Sequence, residues 1–227
     1  MITAFVPCRK GSERVKNKNT RPFAGVIGGL VRIKLEQLIQ VRSIDQIVLS
    51  TNDEEVKAIG RSLGHAKIKI VDRPENLATS SASTDDLITY VPSIISAGTV
   101  LWTHVTSPFI GAEDYDEMIE AYQKALGEGH DSLMTVTKWQ KFLWNEQGPV
   151  NYDRDIEKWP RTQTLQPLYE IDSGAFITDI SVYQHLKDRV GQKPKLFLQE
   201  QQKSFDIDWE EDFKIAEYYW KGQSHSF

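Results

Sequence analysis

Short apolar runs alternate with segments of helical spacing along most of the chain. Apolar runs of strand length lie at residues 3–6, 46–50, 67–71, 100–105, 131–137, 173–178 and 196–199. Helical spacing marks residues 30–41, 54–63, a segment that begins at 83, 113–126, 181–188 and a C-terminal helix with Trp209, Phe213, Ala216 and Trp220 on one face. This alternation predicts an α/β fold, in which helices flank a mainly parallel, Rossmann-like sheet and the crossovers are right-handed.

Residues 138–172 interrupt this alternation. They show no helical period, and large aromatic side chains recur too often for a disordered linker, at Trp139, Phe142, Trp144, Trp159 and Tyr169. We therefore predict one α/β domain, formed by residues 1–137 and 173–227, into which residues 138–172 are inserted. The simplest role for the insert is an irregular flap on the chain's own sheet. Residues 221–227 are expected to fray.

The composition narrows the class of protein. The chain of 227 residues is 40% apolar with a formal net charge of −5, and its mean hydropathy is −0.44. No run approaches the roughly 18 apolar residues of a membrane helix, and the N-terminus favours a first strand over a signal peptide. We expect a soluble cytoplasmic protein that binds neither membrane nor nucleic acid. A single cysteine, Cys8, excludes an internal disulfide and a cysteine-rich metal site.

A cationic loop follows the first predicted strand, at residues 6–19. Its positive charges come from Arg9, Lys10, Arg14, Lys16 and Lys18. Gly11 allows the backbone to approach an anion, and the loop lies at the carboxyl edge, where open sheets bind ligands. The loop therefore predicts a phosphate site, with a solvated surface loop as the alternative. It matches neither the Walker A pattern nor the dinucleotide fingerprint.

Two carboxylates, Asp206 and Asp208, stand two positions apart near the C-terminus. In an extended chain such residues share a face, so together they can bind Mg²⁺, which prefers oxygen ligands. Asp208 also precedes a predicted helix with Glu211 three residues later, which is the arrangement of an N-cap. We favour the magnesium site because the cationic loop supplies a place for phosphates.

Several short motifs, spread in order along the chain, resemble those of the acylneuraminate cytidylyltransferase family, the CMP-sialic acid synthetases and their relatives. They are Arg9-Lys10-Gly11-Ser12 with Lys18-Asn19, Ser50-Thr51-Asn52-Asp53, Arg73-Pro74-Glu75-Asn76-Leu77-Ala78, Ala82-Ser83-Thr84, Thr106-Ser107-Pro108, Ser173-Gly174-Ala175-Phe176 and Asp206-Ile207-Asp208. The resemblance implies a sheet of the nucleotide-diphospho-sugar transferase type. It also implies that residues 138–172 form a dimerisation arm, and hence a homodimer.

The resemblance implies a nucleotidyl transfer from CTP to an acidic small-molecule acceptor, with release of pyrophosphate. The nucleotide-binding residues implied are Arg9, Gly11, Ser12, Lys18, Asn19, Arg73, Ala82 and Ser83. Among them Arg9, Lys18 and Arg73 are the catalytic candidates because they neutralise phosphate charge, and Asn19 reads the cytosine. Mg²⁺ on Asp206 and Asp208 is the cofactor. From the residues alone, Ser83 is also a helix cap, and Arg73 is equally well an exposed loop arginine.

The acceptor side departs from the resembled family. His104 stands where the family usually has glutamine, Ile110 where an arginine usually follows Ser-Pro, and Tyr169 to Asp172 where relatives often carry an arginine. The acceptor-binding candidates are His104, Thr106, Tyr169 and Ser173, with a buried core histidine as the alternative for His104. We expect the acceptor to be a sialic acid-like sugar or, alternatively, another acidic molecule, which could be a sugar or a non-sugar acid. A non-catalytic nucleotide-binding module is a further alternative, and the missing glycine fingerprint disfavours a nicotinamide oxidoreductase.

Overall fold

The computed structural model of the chain describes residues 1–12 and 14–223. The strands are β1 (Ile2–Pro7), β2 (Gln46–Thr51), β3 (Ile68–Asp72), β4 (Thr99–Trp102), β5 (Ser132–Trp139), β6 (Trp144–Asn145), β7 (Gly148–Pro149), β8 (Leu168–Asp179) and β9 (Pro194–Leu198). The helices are α1 (Gly29–Gln40), α2 (Glu54–Ser62), α3 (Thr84–Ile94), α4 (Ala112–Gly127), α5 (Ile180–His185) and α6 (Glu210–Gln223). Residues 224–227, part of the tail expected to fray, lie outside the described residues.

Seven strands form one sheet in the order β3-β2-β1-β4-β8-β5-β9. β1, β2, β3 and β4 pair in parallel, β8 is antiparallel to both β4 and β5, and β9 is parallel to β5. The predicted mainly parallel α/β fold is therefore confirmed. No helix within residues 1–12 and 14–223 is long and apolar enough to cross a membrane.

Alternate side chains of the strands enter two hydrophobic layers, one on each face of the sheet. On β1, Ala4 and Val6 join the layer that contains the helix residues Leu35 and Tyr115, whereas Phe5 joins the layer with Val91 and Tyr183. This two-sided burial follows from the period of two along a strand. Because both faces are covered, the open carboxyl edge is left for loops.

The loop between β1 and α1 is anchored to the core. Val15 and Phe23 are fully buried in the first layer, and the backbone of Val31 donates to the carbonyl of Asn19 at 3.0 Å. Gly29 has a φ of +55°, and a Cβ there would lie 2.1 Å from the carbonyl oxygen of Arg21. Only glycine fits so close an approach, so this turn holds the cationic loop against α1.

Some element boundaries differ from the sequence predictions. β5 runs on to Trp139 and β8 begins at Leu168, so the sheet extends into the predicted insert from both ends. These strand ends pair with each other, from Val136 with Ile171 to Trp139 with Leu168, and this pairing stabilises them as strands. The prediction that Trp209 lies in the C-terminal helix was wrong, because α6 begins at Glu210. Trp209 precedes α6, is 56% exposed, and its ring lies 5.0 Å from the guanidinium of Arg14.

Candidate active site

A cavity of about 550 Å³, called here the main cavity, opens at the carboxyl edge of β1 and β4. It brings together most of the predicted site residues from distant parts of the chain: Arg9, Ser12, Lys18, Asn19, Arg73, Ala82, Ser83, His104, Thr106, Ser173, Asp206 and Asp208. Gly11 lies beside it and lines a neighbouring cavity of about 370 Å³ with Arg9 and Lys18. The size and polar lining of the main cavity suit a small, charged ligand.

The cationic loop contacts the carboxylate pair across almost the whole length of the sequence. Lys18 Nζ donates to the carbonyl of Ile207 at 2.6 Å and lies 3.5 Å from Asp208 Oδ1. Arg14 Nη1 lies 3.1 Å from Asp208 Oδ2. The loop is therefore not a freely solvated surface segment. Gly11 has a φ of +79°, a conformation that favours glycine, and the Arg9 side chain donates to its carbonyl at 3.1 Å.

Arg73 is a buried cation whose guanidinium is only partly paired. It is 6% exposed, and Nη2 donates to the carbonyl of Ser50 at 3.0 Å. Its Nε is buried without a hydrogen-bond partner, and no carboxylate of residues 1–12 or 14–223 forms an ion pair with it. Burial lowers the pKa of Arg73. The alternative of an exposed loop arginine is wrong, since a buried guanidinium facing a cavity is a natural partner for an anionic ligand.

Asp206 and Asp208 have different surroundings. Burial raises the pKa of Asp206, a hydrogen bond with Thr106 opposes that effect, and the charge of Asp208 adds to it. Asp206 Oδ1 is buried and has no partner. The backbone of Ile207 between them donates to the carbonyl of Thr106 at 3.0 Å, which fixes the pair beside the loop after β4. Asp206 is therefore a buried carboxylate with one unpartnered oxygen, whereas Asp208 faces the cations Arg14 and Lys18.

The N-cap alternative for Asp208 is not realised. Helix α6 begins at Glu210, and the Asp212 carboxylate accepts from the backbone N–H of Asp208 at 3.0 Å and of Trp209 at 2.7 Å. The Asp208 carboxylate instead points to the cations of the loop. Within the described part of the chain no three His, Cys, Asp or Glu side chains cluster as a metal site. A divalent ion here would have two carboxylates and would take its other oxygens from phosphate and water, which suits Mg²⁺.

Ser83 and Asn19 both line the main cavity. Ser83 forms a capping box at the start of α3: its Oγ accepts from Asp86 N at 3.1 Å, and its backbone N–H donates to Asp86 Oδ2 at 3.0 Å. The predicted cap is confirmed, while a nucleotide contact stays a prediction. Asn19 Oδ1 is buried and has no partner. Burial raises the pKa of the neighbouring Cys8 thiol to about 12, so Cys8 is a neutral packing residue.

His104 is partly buried and lines the main cavity. Trp102 Nε1 donates to His104 Nε2 at 3.0 Å. Burial, and after it the positive charges of Arg189 and Lys18, lower the pKa of His104 to about 3. The imidazole is therefore neutral near pH 7 and carries its proton on Nδ1. It can hydrogen-bond a ligand but cannot supply a positive charge.

Two predicted acceptor-side positions lie elsewhere. Ile110, which occupies the position of the family's usual arginine, is fully buried in the hydrophobic core. Its side chain therefore does not reach the cavity. Tyr169 is 44% exposed, pairs with Lys138, and is not among the described residues that line the main cavity. A smaller cavity of about 390 Å³, the side cavity, shares Ser173, Asp206 and Asp208 with the main cavity and adds Glu170 and Asp172. This side is strongly acidic.

Sequence reasoning missed Lys34, which supports the loop after β4. Lys34 is fully buried and donates to the carbonyl of Ser107 at 2.8 Å, to the carbonyl of Ile110 at 3.3 Å and to Tyr115 Oη at 2.7 Å. Burial lowers its pKa to about 7. The signal was available, because Lys34 occupies the apolar face of α1 between Val31 and Leu38.

A family model described as "Cytidylyltransferase" matches residues 3–225. The chain is 27% identical over 222 residues to an N-acylneuraminate cytidylyltransferase of Escherichia coli, covering 95% of this chain and 51% of that protein. It is 28% identical over 182 residues to a pseudaminic acid cytidylyltransferase of Campylobacter jejuni, covering 76% of this chain and 75% of that protein. The chain thus spans about half the length of the Escherichia coli relative.

Among solved structures, the fold resembles that of a CMP:2-keto-3-deoxy-manno-octonic acid synthetase complexed with CTP. The TM-score is 0.68 with 12% sequence identity, and the match covers 98% of this chain and 99% of that one. At this identity the likeness concerns the fold.

Proposed function

Because the chain belongs to the cytidylyltransferase family, we propose that it transfers a cytidylyl group from CTP to an acidic sugar of the sialic acid type, with release of pyrophosphate. The observation that carries the proposal is the contact of the cationic loop with the carboxylate pair around one cavity, through Lys18 and Asp208. Positive charge for a triphosphate and carboxylates for a divalent ion are what this transfer requires. A different acidic acceptor, including a non-sugar acid, is the alternative within this class.

The reaction forms a bond between an acceptor oxygen and the α-phosphorus of CTP and breaks the bond from that phosphorus to the bridging oxygen of pyrophosphate. Arg9, Ser12 and Lys18 hold the leaving phosphates, and Arg73 neutralises the charge that develops during transfer. The partly unpaired, buried guanidinium of Arg73 supports this role. The proton of the attacking hydroxyl leaves to solvent or to a neighbouring oxygen, and His104, with its lowered pKa, is a weak candidate for the base.

Asp206 and Asp208 are the residues that would hold Mg²⁺. The unpartnered, buried Oδ1 of Asp206 fits a metal ligand, since such an oxygen is costly without a positive partner. When bound, Mg²⁺ supplies charge neutralisation at the phosphates and lowers the pKa of the attacking hydroxyl. Lys18 and Arg14, which pair with Asp208, orient that carboxylate.

Asn19, Ala82 and Ser83 would read the cytosine. The buried, unpaired Oδ1 of Asn19 can accept a hydrogen bond from the exocyclic amino group of the base. Ala82 and the exposed Ser83 border the same cavity at the start of α3. Gly11 contributes backbone to the phosphate loop.

The acceptor would lie where His104, Thr106 and Ser173 border the cavity. Tyr169 lies outside the main cavity. It would contact the acceptor only if an assembly brought residues 138–172, the proposed arm, over the site.

We further propose a homodimer formed through the arm, because Trp144, Ile156 and Trp159 are 53%, 85% and 65% exposed. Since CTP is a cytoplasmic nucleotide, the cytoplasm is the proposed location.

The decisive experiment is a pyrophosphate-release assay with CTP and Mg²⁺. The acceptors are sialic, legionaminic, pseudaminic and ketodeoxyoctonic acids together with non-sugar hydroxy acids, and ATP, GTP and UTP are the nucleotide controls. We expect turnover with CTP and at least one sugar acid. Binding of CTP without turnover of any acid would favour the non-catalytic module. Tighter binding of NADH than of CTP would favour an oxidoreductase.

A further inference from the structure

Strand β8 forms a bulge where it meets the main cavity and the side cavity. Its residues 172–175 lie opposite a single residue of β5, Thr135, where the register of the two strands shifts. On the other side of β8, the pairing with β4 ends at Phe176. Ser173, within the bulge, has a φ of +59° and lines both cavities. Bulges re-aim side chains and are frequent beside active sites.

The backbone of the bulge is held by side chains. A left-handed φ is unfavourable for serine, so the surrounding structure must impose it on Ser173. The Asp172 carboxylate accepts from the backbone N–H of Gly174 at 2.9 Å, and Thr135 Oγ1 accepts from that of Ala175 at 2.9 Å. These bonds take the place of the strand pairing that is interrupted at the bulge.

A chain of three fully buried side chains, called here the relay, reaches the bulge from α1 and consists of Lys34, Tyr115 and Thr103. Lys34 Nζ donates to Tyr115 Oη at 2.7 Å, and Tyr115 Oη lies 2.7 Å from Thr103 Oγ1. Thr103 Oγ1 donates to the carbonyl of Gly174 at 2.8 Å. Because a carbonyl can only accept, the one hydroxyl proton of Thr103 is used there, and Tyr115 donates to Thr103. The hydrogen bonds of the relay therefore all run from Lys34 towards the bulge.

Lys34 also holds the other segment of the acceptor side. Its Nζ donates to the carbonyls of Ser107 at 2.8 Å and Ile110 at 3.3 Å, in the loop after β4. Thr106 of the same loop lines the main cavity. With Tyr115 these carbonyls use all three donors of the ammonium group, which offsets the cost of its burial. One buried lysine thus joins the loop that carries Thr106 to the bulge.

We infer that the relay holds Ser173 in its left-handed conformation and so orients this residue towards the acceptor. The members of the relay are positioning residues, because none of them lines the main cavity or the side cavity. This inference rests on the proposed function and specifies how the acceptor side of the same site is built. Loss of the relay should weaken acceptor binding and leave CTP binding unchanged, since the cationic loop and not the bulge holds the phosphates.

The test is the pyrophosphate-release assay with CTP and the same four sugar acids, comparing wild type with Thr103→Val, which removes the last hydroxyl of the relay and keeps the shape of the side chain. The acceptor KM should rise about 3- to 10-fold, the effect of one lost hydrogen bond, while the KM for CTP stays unchanged. Thr103→Ser keeps the hydroxyl and should retain the wild-type acceptor KM. Thr178→Val is the matched control, because Thr178 is also fully buried and its hydroxyl donates to the carbonyl of Asp131 at 2.9 Å, near the other end of β8.

Two further variants test the chain and its target. Tyr115→Phe keeps the ring and removes the middle hydroxyl, so its acceptor KM should also rise. The double variant with Thr103→Val should show no further rise, because both changes break the same chain. Ser173→Gly should raise the melting temperature by about 2–4 °C, since glycine adopts this φ without strain, and should still raise the acceptor KM.

A relay with only a structural role would lower the stability of Thr103→Val and Thr178→Val alike and leave the acceptor KM at its wild-type value. That acceptor KM in Thr103→Val, or an equal rise in the KM for CTP, would overturn the inference and leave the proposed function intact. If Thr103→Val does not fold, Tyr115→Phe decides by the same criterion. Absence of turnover with every acid in wild type would overturn the proposed function, and this inference with it.

Discussion

At the scale of single residues, environment separates side chains that look equivalent in the sequence. Asp206 and Asp208 are two positions apart, yet burial raises the pKa of Asp206 while Asp208 meets Arg14 and Lys18. The pair therefore offers one deep oxygen without a partner and one carboxylate held by cations. We expect the two side chains to act differently on a bound Mg²⁺, because Asp206 would fix its depth in the cavity and Asp208 would link it to the phosphate loop.

We predict that Asp208→Asn lowers Mg²⁺-dependent pyrophosphate release by about 100-fold or more, because a neutral amide is a poor magnesium ligand. The unfolding free energy should change by less than about 1 kcal/mol, since the Asp208 side chain is 43% exposed and its ion pairs are screened by solvent. Activity and urea unfolding are measured on the same preparation. Glu211→Gln, at an exposed position at the start of α6, is the control. Wild-type turnover in Asp208→Asn would exclude Asp208 as a metal ligand.

His104 should make folding stability sensitive to acid. Burial lowers its pKa from 6.5 to about 3, so between these pH values the unfolded chain binds a proton that the folded chain does not. The contribution of a neutral His104 is complete above the unfolded pKa and is lost as the pH falls towards the folded one. From about pH 7 to about pH 5, wild type should lose on the order of 1 kcal/mol more stability than His104→Gln.

This pH prediction is checked by denaturant unfolding of both proteins across the acid range. His65→Gln, at an exposed position in the turn after α2, is the matched histidine control. Equal pH dependence in wild type and His104→Gln would show that His104 is readily protonated in the folded protein, and the neutral hydrogen-bonding role would then be withdrawn.

At the scale of elements, β8 shows why the Ser173-Gly174-Ala175 motif needs its central glycine. A Cβ on Gly174 would lie 2.6 Å from Ile110 Cδ1 and 3.1 Å from both Asp172 Oδ1 and Thr135 Oγ1. The backbone of Gly174 is also held on both sides, since its N–H donates to Asp172 and its carbonyl accepts from Thr103. At Gly174 the strand backbone therefore passes between the core residue Ile110 and the polar side chains of Asp172 and Thr135, with no space for a side chain.

We predict that Gly174→Ala lowers the unfolding free energy by about 1–3 kcal/mol, the usual cost of overpacking. It should also raise the acceptor KM, since Ser173 at the cavity is the preceding residue. Gly127→Ala is the matched control because a Cβ there meets nothing within 4 Å, and in α4 it should stabilise by up to about 1 kcal/mol. Both are measured by denaturant unfolding. Equal stability of the two variants would contradict the packing described for Gly174.

At the scale of the whole molecule, the predicted arm, residues 138–172, exposes several large aromatic and aliphatic side chains. Phe142 packs edge-on against Trp159 with ring centres 5.6 Å apart, and Arg154 lies 5.4 Å from the Trp159 ring. These contacts order the arm locally but leave Trp144, Ile156 and Trp159 largely exposed. Aromatic surface of this kind is typical of an interface.

We predict that the chain is a dimer in sedimentation velocity experiments, and that Trp159→Glu shifts it towards monomer by placing a charge in an apolar interface. Tyr218→Glu is the matched control, because Tyr218 is an 84% exposed aromatic on α6, away from the arm. A monomeric wild type, or the same shift with Tyr218→Glu, would rule out the arm as the dimer contact.

The local pattern of apolar residues was enough to predict most strands and helices and the mainly parallel sheet, because the periods of two and 3.6 depend on neighbours in the sequence. The cationic loop and the carboxylate pair were also evident, since clustered charges of one sign stand out from a mixed surface. The residues at which β5 ends and β8 begins could not be predicted from the local pattern. Those strand ends are stabilised by pairing with each other across the insert.

Only the tertiary structure decided which polar residues are buried, and therefore what they can do. Arg73 and Arg189 look like ordinary surface cations in the sequence, but the fold leaves a buried nitrogen of each without a partner. It likewise brings Lys18 to Asp208 and removes Tyr169 from the cavity. Burial and pairing depend on contacts between distant segments, which the order of residues does not by itself express.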